Sequence, residues 1–141
     1  MRSLPGPLPA SIFLLTGLQT LNLQGNSLSG SLPDAWSSLT ALTSLALQEN
    51  ALTGSLPASW GVVDSSNGNN SNGNSNSSPL NNLVALNLGN NGFSGTFPDS
   101  WAYPRSLTSL TRLVLAQNPR LCGPLPPNWA TNHPSTQTLI G

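Results

Sequence analysis

The sequence predicts a repeat solenoid, in which successive coils share one parallel sheet and one leucine-lined core. Three observations predict it. The segment 18–41, LQTLNLQGNSLSGSLPDAWSSLTA, returns from Leu42 as LTSLALQENALTGSLPASW, from Leu83 as LVALNLGNNGFSGTFPDSW and from Leu110 as LTRLVLAQNPRLCGPLPPNW. The first two copies start 24 residues apart, a period that belongs to stacked supersecondary units. All four tryptophans, Trp36, Trp60, Trp101 and Trp129, stand three residues after a proline.

Each position of the frame LxxLxLxxNxLxGxLPxxW has a physical task. The pairs Leu21/Leu23, Leu45/Leu47, Leu86/Leu88 and Leu113/Leu115 are spaced by two, so in a strand both leucines point to one face. One strand cannot bury that face alone; coils stacked at roughly 4.8 Å make a parallel sheet over a ladder of Leu. The Asn after each strand (Asn26, Asn50, Asn91, Asn118) carries two donors and an acceptor for turn backbone groups that face inward, away from water. Gly30, Gly54, Gly95 and Gly123 mark tight bends or close approach between coils. Pro33, Pro57, Pro98 and Pro126 hold the far side extended. A ladder of inward indoles accounts for every Trp, with Ile12 in the matching slot of the opening half-repeat, and leaves no aromatic platform for a carbohydrate.

This frame resembles the leucine-rich repeat family, in the variant common in plant-type extracellular proteins. The resemblance covers nearly the whole chain. It implies an α/β-type repeat solenoid: a right-handed horseshoe segment with short parallel strands on its concave face and a mostly irregular or 3-10 convex side. It also implies that the concave face binds proteins or peptides.

In chain order, residues 1–17 read as a partial repeat, followed by repeats at 18–41, 42–82, 83–109 and 110–130 and a tail or truncated repeat at 131–141. The apolar patch Ile12–Leu15 has the look of a signal-peptide core, but PASIFLLTGLQTLNL lies in register with PDAWSSLTALTSLAL. The chain opens mid-repeat, so uncapped ends, poor solubility and self-association are expected. Between Trp60 and Leu83 the frame is interrupted by 17 residues. Within them the tract at 65–78, SSNGNNSNGNSNSS, has no side chain that builds a core and is expected to be a disordered loop. It carries two sequons, at Asn69 and Asn76, which are glycan acceptors if the chain is secreted. Three further residues are inserted around Tyr103-Pro104-Arg105. In coil four, NPRLCG puts Cys122 in the slot of Ser29, Thr53 and Ser94. It reads as a small, semi-buried stand-in for a hydroxyl, or as a reactive thiol or half of a disulfide whose partner lies elsewhere. After Trp129 the frame fades, and TQTLI at Thr136–Ile140 echoes LQTLN at Leu18–Asn22.

Charged residues make up 6% of the chain and the net charge is zero, which gives no footprint for nucleic acid or anionic lipid. No apolar run reaches the length of a membrane span. No catalytic constellation is apparent: His133 is the only His, and Asp34, Glu49, Asp64 and Asp99 are scattered, so no enzyme activity, metal or cofactor is expected. What remains is the outward side of the concave sheet. Its hydrogen-bonding side chains, Thr20, Asn22, Gln24, Ser44, Gln48, Asn87 and Arg112, are the expected ligand-binding set. The leading expectation is a recognition module from a receptor-like or secreted protein, extracellular or at the cell surface if part of a longer chain. The alternatives are a cytoplasmic or cytoskeletal assembly scaffold, ciliary scaffolds included, and an inhibitor of a secreted hydrolase.

Overall fold

The computed structural model describes residues 3–61 and 79–141. The insertion at 65–78, its sequons at Asn69 and Asn76, and Arg2 and Asp64 lie outside the described residues. Ten short strands follow one another: β1 (Pro5–Pro7), β2 (Thr20–Asn22), β3 (Ser27–Gly30), β4 (Ser44–Ala46), β5 (Ala51–Gly54), β6 (Ala85–Asn87), β7 (Gly92–Gly95), β8 (Arg112–Val114), β9 (Arg120–Leu121) and β10 (Gln137–Leu139). Short 3-10 segments at Ala10–Leu14, Asp34–Ser38, Ala58–Trp60 and Asp99–Ala102 complete the coils, and α1 is a single turn at Trp129–Asn132.

The even-numbered strands form the concave sheet in the order β10-β8-β6-β4-β2, all parallel. Leu21, Leu45, Leu86 and Leu113 stand level across it, as the leucine spacing requires. Leu45, Leu86 and Leu113 are at most 1% exposed. A third rung, Leu39, Leu80 and Leu107, is equally buried. Each such leucine contributes roughly 1.5–3 kcal/mol by burial before chain entropy is subtracted.

The Asn row is the internal brace that the frame calls for. Asn50 donates through Nδ2 to the carbonyls of Leu23 and Leu47, both at 3.0 Å, and its Oδ1 accepts the Leu28 N–H at 3.0 Å. Asn91 and Asn118 repeat the pattern one and two coils on. Each Asn thus ties three backbone groups of two coils together, at a half-buried position for Asn50 and at buried ones for Asn91 and Asn118. The residue before it is left-handed in every coil, whatever its type: Gly25 (φ 67°), Glu49 (60°), Asn90 (50°) and Gln117 (62°).

The indoles are used in the same way. Trp36, Trp60 and Trp101 are 1% exposed or less, and each Nε1–H donates to the carbonyl of the frame proline one coil earlier: Pro9, Pro33 and Pro57, at 3.3, 3.3 and 2.9 Å. A leucine in this slot would leave those carbonyls without the bond.

Three features depart from the sequence reading. A second parallel sheet, β1-β3-β5-β7-β9, runs alongside the first, where only a glycine turn was expected. β3, β5 and β7 end on Gly30, Gly54 and Gly95, and Gly123 stands two residues past β9, all four at φ 77–82°. At Gly54 a Cβ would also lie 3.1 Å from Ser31 Cβ, so bend and close approach coincide there. The last strand is one residue out of step with the expected echo. Gln137, Thr138 and Leu139 stand level with Arg112, Leu113 and Val114, which puts Thr138, not Leu139, in the leucine slot. The Thr138 hydroxyl accepts the Trp129 indole N–H at 3.1 Å, and Leu139 turns outward, 41% exposed. Cys122, expected to be semi-buried, is exposed, because β9 is the edge strand of the second sheet and no coil covers it.

Candidate binding face

The outward positions of the concave sheet form three rows across the strands. The first is Thr20, Ser44, Ala85, Arg112 and Gln137; the second is Asn22, Ala46, Asn87, Val114 and Leu139. A third, just past the strand ends, is held by the bonds Gly25 N–H to Gln48 O, Glu49 N–H to Gly89 O, Asn90 N–H to Ala116 O and Gln117 N–H to Gly141 O. It therefore runs Gln24, Gln48, Gly89, Ala116, Gly141. All seven expected residues share this surface. Thr20, Asn22, Gln24 and Arg112 are exposed, while Ser44, Gln48 and Asn87 are half-buried.

The face is not uniform. Coils one and two present mainly amides and hydroxyls, whereas coils three to five mix Asn87, Arg112 and Gln137 with Ala85, Val114, Ala116 and Leu139. Gly89 is buried, and a Cβ there would meet the Ala116 carbonyl oxygen at 3.2 Å and Val114 Cγ1 at 3.3 Å, so neighbouring groups crowd this position and a side chain there would push against them. The carboxamides are anchored from below. Asn22 Oδ1 accepts the Gln24 N–H and Asn87 Oδ1 the Gly89 N–H, both at 3.1 Å. Gln48 Nε2 donates to Gln24 Oε1.

Sequence reasoning missed Gln137, which lies beside Arg112 in the first row. The signal was present in TQTLI but was read one residue out of register. It also left His133 without a task. His133 is 6% exposed, stacks on Trp129 with ring centroids 4.0 Å apart, and its Nε2–H donates to the Ser106 carbonyl at 2.8 Å. It braces the last coil and faces no nucleophile. Asp34 accepts a hydrogen bond from Ser59 Oγ at 2.8 Å, on the side away from the binding face. Among the described residues no group of three or more His, Cys, Asp or Glu could hold a metal ion, and no helix is long and apolar enough to cross a membrane.

A family profile described as leucine rich repeat matches residues 6–52, and a second matches residues 82–103. No curated protein matches the sequence. Among solved structures, the chain is similar to the plant peptide hormone receptor RGFR1 in complex with RGF2, at 31% identity and a TM-score of 0.75 over 98% of this chain. It is similar also to the Arabidopsis receptor kinase HAESA, solved with the peptide hormone IDA and the co-receptor SERK1, at 30% identity and a TM-score of 0.76, again over 98% of this chain. It spans 18% and 19% of those two chains. A plant ice-binding protein shares the fold, with a TM-score of 0.78 at 24% identity, over 99% of this chain and 39% of the other. The repeated leucine, asparagine and proline slots, the paired sheets and these likenesses agree: the chain belongs to the leucine-rich repeat family, in its plant-type form.

Proposed function

We propose that this chain is a recognition module that binds a protein or peptide across its concave sheet, as part of a receptor-like or secreted protein. The observation that carries the reading is the alignment of Thr20, Asn22, Gln24, Ser44, Gln48, Asn87 and Arg112 on one open sheet face. Five strands span about 19 Å, which an extended peptide of about six residues crosses. Its backbone would bond the carboxamides and hydroxyls while side chains settle on Val114. The peptide-bound and co-receptor-bound relatives support a ligand of this class, and their being receptors supports an extracellular place for this chain. In that setting Asn69 and Asn76 are glycan acceptors.

The test is a triple substitution, Asn22→Ala, Gln48→Ala and Asn87→Ala. It is expected to weaken a selected peptide partner by about ten-fold or more, since each lost hydrogen bond contributes roughly 0.5–1.5 kcal/mol. The thermal unfolding midpoint should stay within a few degrees. Unchanged affinity in calorimetric titration removes the concave face from the reading.

Self-association is a second contact that we propose. Exposed large hydrophobics cluster at the two ends: Leu4, Leu14 and Leu15 are 55–68% exposed at one, Leu139 and Ile140 are 41% and 50% exposed at the other. β1 and β2 leave unpaired edges at the first end, β9 and β10 at the second. Sedimentation over a concentration series is expected to show reversible association that Leu14→Glu with Leu15→Glu suppresses. A monomer at every concentration overturns this.

A further inference from the structure

We infer that the partner in self-association is a second copy stacked head to tail, so that the half-coil at the last end of one copy and the half-coil at the first end of the next close into one coil. The inference rests on the self-association reading and gives it a direction and a register. Hydrogen bonds place both halves in the repeat. The Gln117 N–H donates to the Gly141 carbonyl as the Gly25 N–H does to that of Gln48, so Gly141 stands in the place of Gln24. The Leu4 N–H donates to Asn26 Oδ1 at 2.9 Å, as the Leu28 N–H does to Asn50 Oδ1 at 3.0 Å, so Leu4 stands in the place of Leu28. One end thus carries a concave strand, β10, without its second-sheet strand; the other carries a second-sheet strand, β1, without its concave strand. Met1, Arg2 and Ser3 take the three places between in the sequence. Stacked head to tail, the two halves make a whole coil with no place empty and none filled twice.

The strand edges agree. β9 and β10 are the open edges at one end, β1 and β2 at the other, in the same two sheets. Within the chain the Gln137 N–H bonds the Thr111 carbonyl and the Leu115 N–H the Leu139 carbonyl. Continued one coil further, that ladder joins the Thr20 N–H of the next copy to the Thr136 carbonyl, and the Ile140 N–H to the Asn22 carbonyl of the next copy. The apolar surfaces agree too. A recess of about 300 Å³ at the last end is lined by Leu115, Asn118, Pro119, Leu121 and Ile140. It lies beside Leu121, the rung that Leu4 of the next copy continues, and Leu4 is 55% exposed. Half-buried Leu21 and Leu23 at the first end gain the cover that every inner coil has. Two like ends joined by a two-fold would either reverse the strand direction or set the edge of one sheet against that of the other. Either way the leucine ladder breaks.

The test follows the 141-residue chain and two end variants, Leu4→Glu and Ile140→Glu, both at exposed sites, by sedimentation. Wild type is expected to grow past the dimer as concentration rises, because a heterologous contact leaves one free end of each kind on every oligomer. Each Glu variant alone should associate about ten-fold or more weakly, since the junction would bury an unpaired carboxylate. An equimolar mixture of the two should form a dimer and stop there, both remaining ends being blocked. The register is read in a Cys122→Ser background. Thr20→Cys with Gln137→Cys should give disulfide-linked ladders on oxidation, as level positions on neighbouring strands lie about 4.8 Å apart, within disulfide reach; Thr20→Cys alone should not cross-link. A wild type that stops at the dimer, a single Glu variant that associates like wild type, a mixture that stays monomeric, cross-linking by Thr20→Cys alone or a double variant without ladders overturns head-to-tail stacking and leaves self-association standing. Monomers of wild type at every concentration overturn both.

Discussion

Replacing Trp101 with Ala is expected to lower the unfolding free energy by about 3–5 kcal/mol, the range for removing a fully buried aromatic side chain. The upper part of that range is the expected one, because three losses coincide at this residue. The side chain is 0% exposed, so its whole area returns to water or becomes a cavity. It stacks on Trp60 with ring centroids 6.2 Å apart and planes within 2°, and it meets the edge of Phe97 at 5.4 Å. Such aromatic pairs contribute about 0.5–1.5 kcal/mol beyond the area they bury. Its Nε1–H is also the partner of the Pro57 carbonyl at 2.9 Å, a buried bond. Trp101→Phe keeps one aromatic ring in the slot but loses the hydrogen bond and the volume of the indole's second ring, so an intermediate loss of roughly 2–3 kcal/mol is expected. Denaturant unfolding followed by far-ultraviolet circular dichroism measures both. A Trp101→Ala midpoint equal to that of wild type would mean that the indole ladder is not the far wall of the core.

The main sheet and its core were legible in the sequence because each concave strand carries two inward leucines around one outward residue, and a period of two needs at least that much to show itself. The second sheet was hidden for the converse reason. In Ser27-Leu28-Ser29-Gly30 a single inward residue sits between small polar ones, a pattern that a turn shares. The binding rows followed directly from the first sheet, so Thr20, Ser44 and Arg112 could be placed level before any coordinates. The last strand could not. In Gln137-Thr138-Leu139 the apolar residue looks like the inward one, and the register is set instead by bonds to distant groups: Trp129 Nε1 to the Thr138 hydroxyl and the Gln137 N–H to the Thr111 carbonyl at 2.8 Å. A slip of one residue turns every side chain over, which is how Gln137 escaped the candidate set. The orientation of the Asn22 and Asn87 carboxamides was hidden as well, because it depends on an N–H two residues on and not on residue type.

Asn91 is the second position where a large effect is expected, and it separates bracing from mere space filling. Its Nδ2 donates to the carbonyls of Leu47 at 3.0 Å and of Leu88 and Gly89 at 3.2 Å, and its Oδ1 accepts the Leu52 N–H at 3.0 Å. These bonds link coils two and three on either side of the long insertion. Asn91→Ala leaves the Leu52 N–H buried without a partner and takes one of two bonds from the Leu47 carbonyl, which keeps Asn50 Nδ2; at about 1–3 kcal/mol for the orphaned N–H and roughly 0.5–1.5 kcal/mol for the lost bond, the expected loss is about 2–4 kcal/mol. Asn91→Asp is the sharper variant. The Leu52 N–H keeps its acceptor, but a carboxylate oxygen now faces three carbonyl oxygens, so at neutral pH this nearly isosteric change should cost more than truncation to Ala. Burial and those carbonyls hold the new carboxyl above the ordinary carboxylate range, since only its protonated form has a donor to offer them. A carboxyl raised in the folded state stabilises most at acid pH, below its unfolded value, and that stability is lost as pH rises through the folded one. The Asn91→Asp variant should therefore approach wild type on acidification. Asn26→Ala, whose side chain bonds the exposed Leu4 N–H at the end of the solenoid, should cost less than Asn91→Ala. Equal losses on truncating Asn26 and Asn91, or an Asn91→Asp variant whose stability relative to wild type does not change with pH, would mean that the asparagine row does not brace one coil against the next.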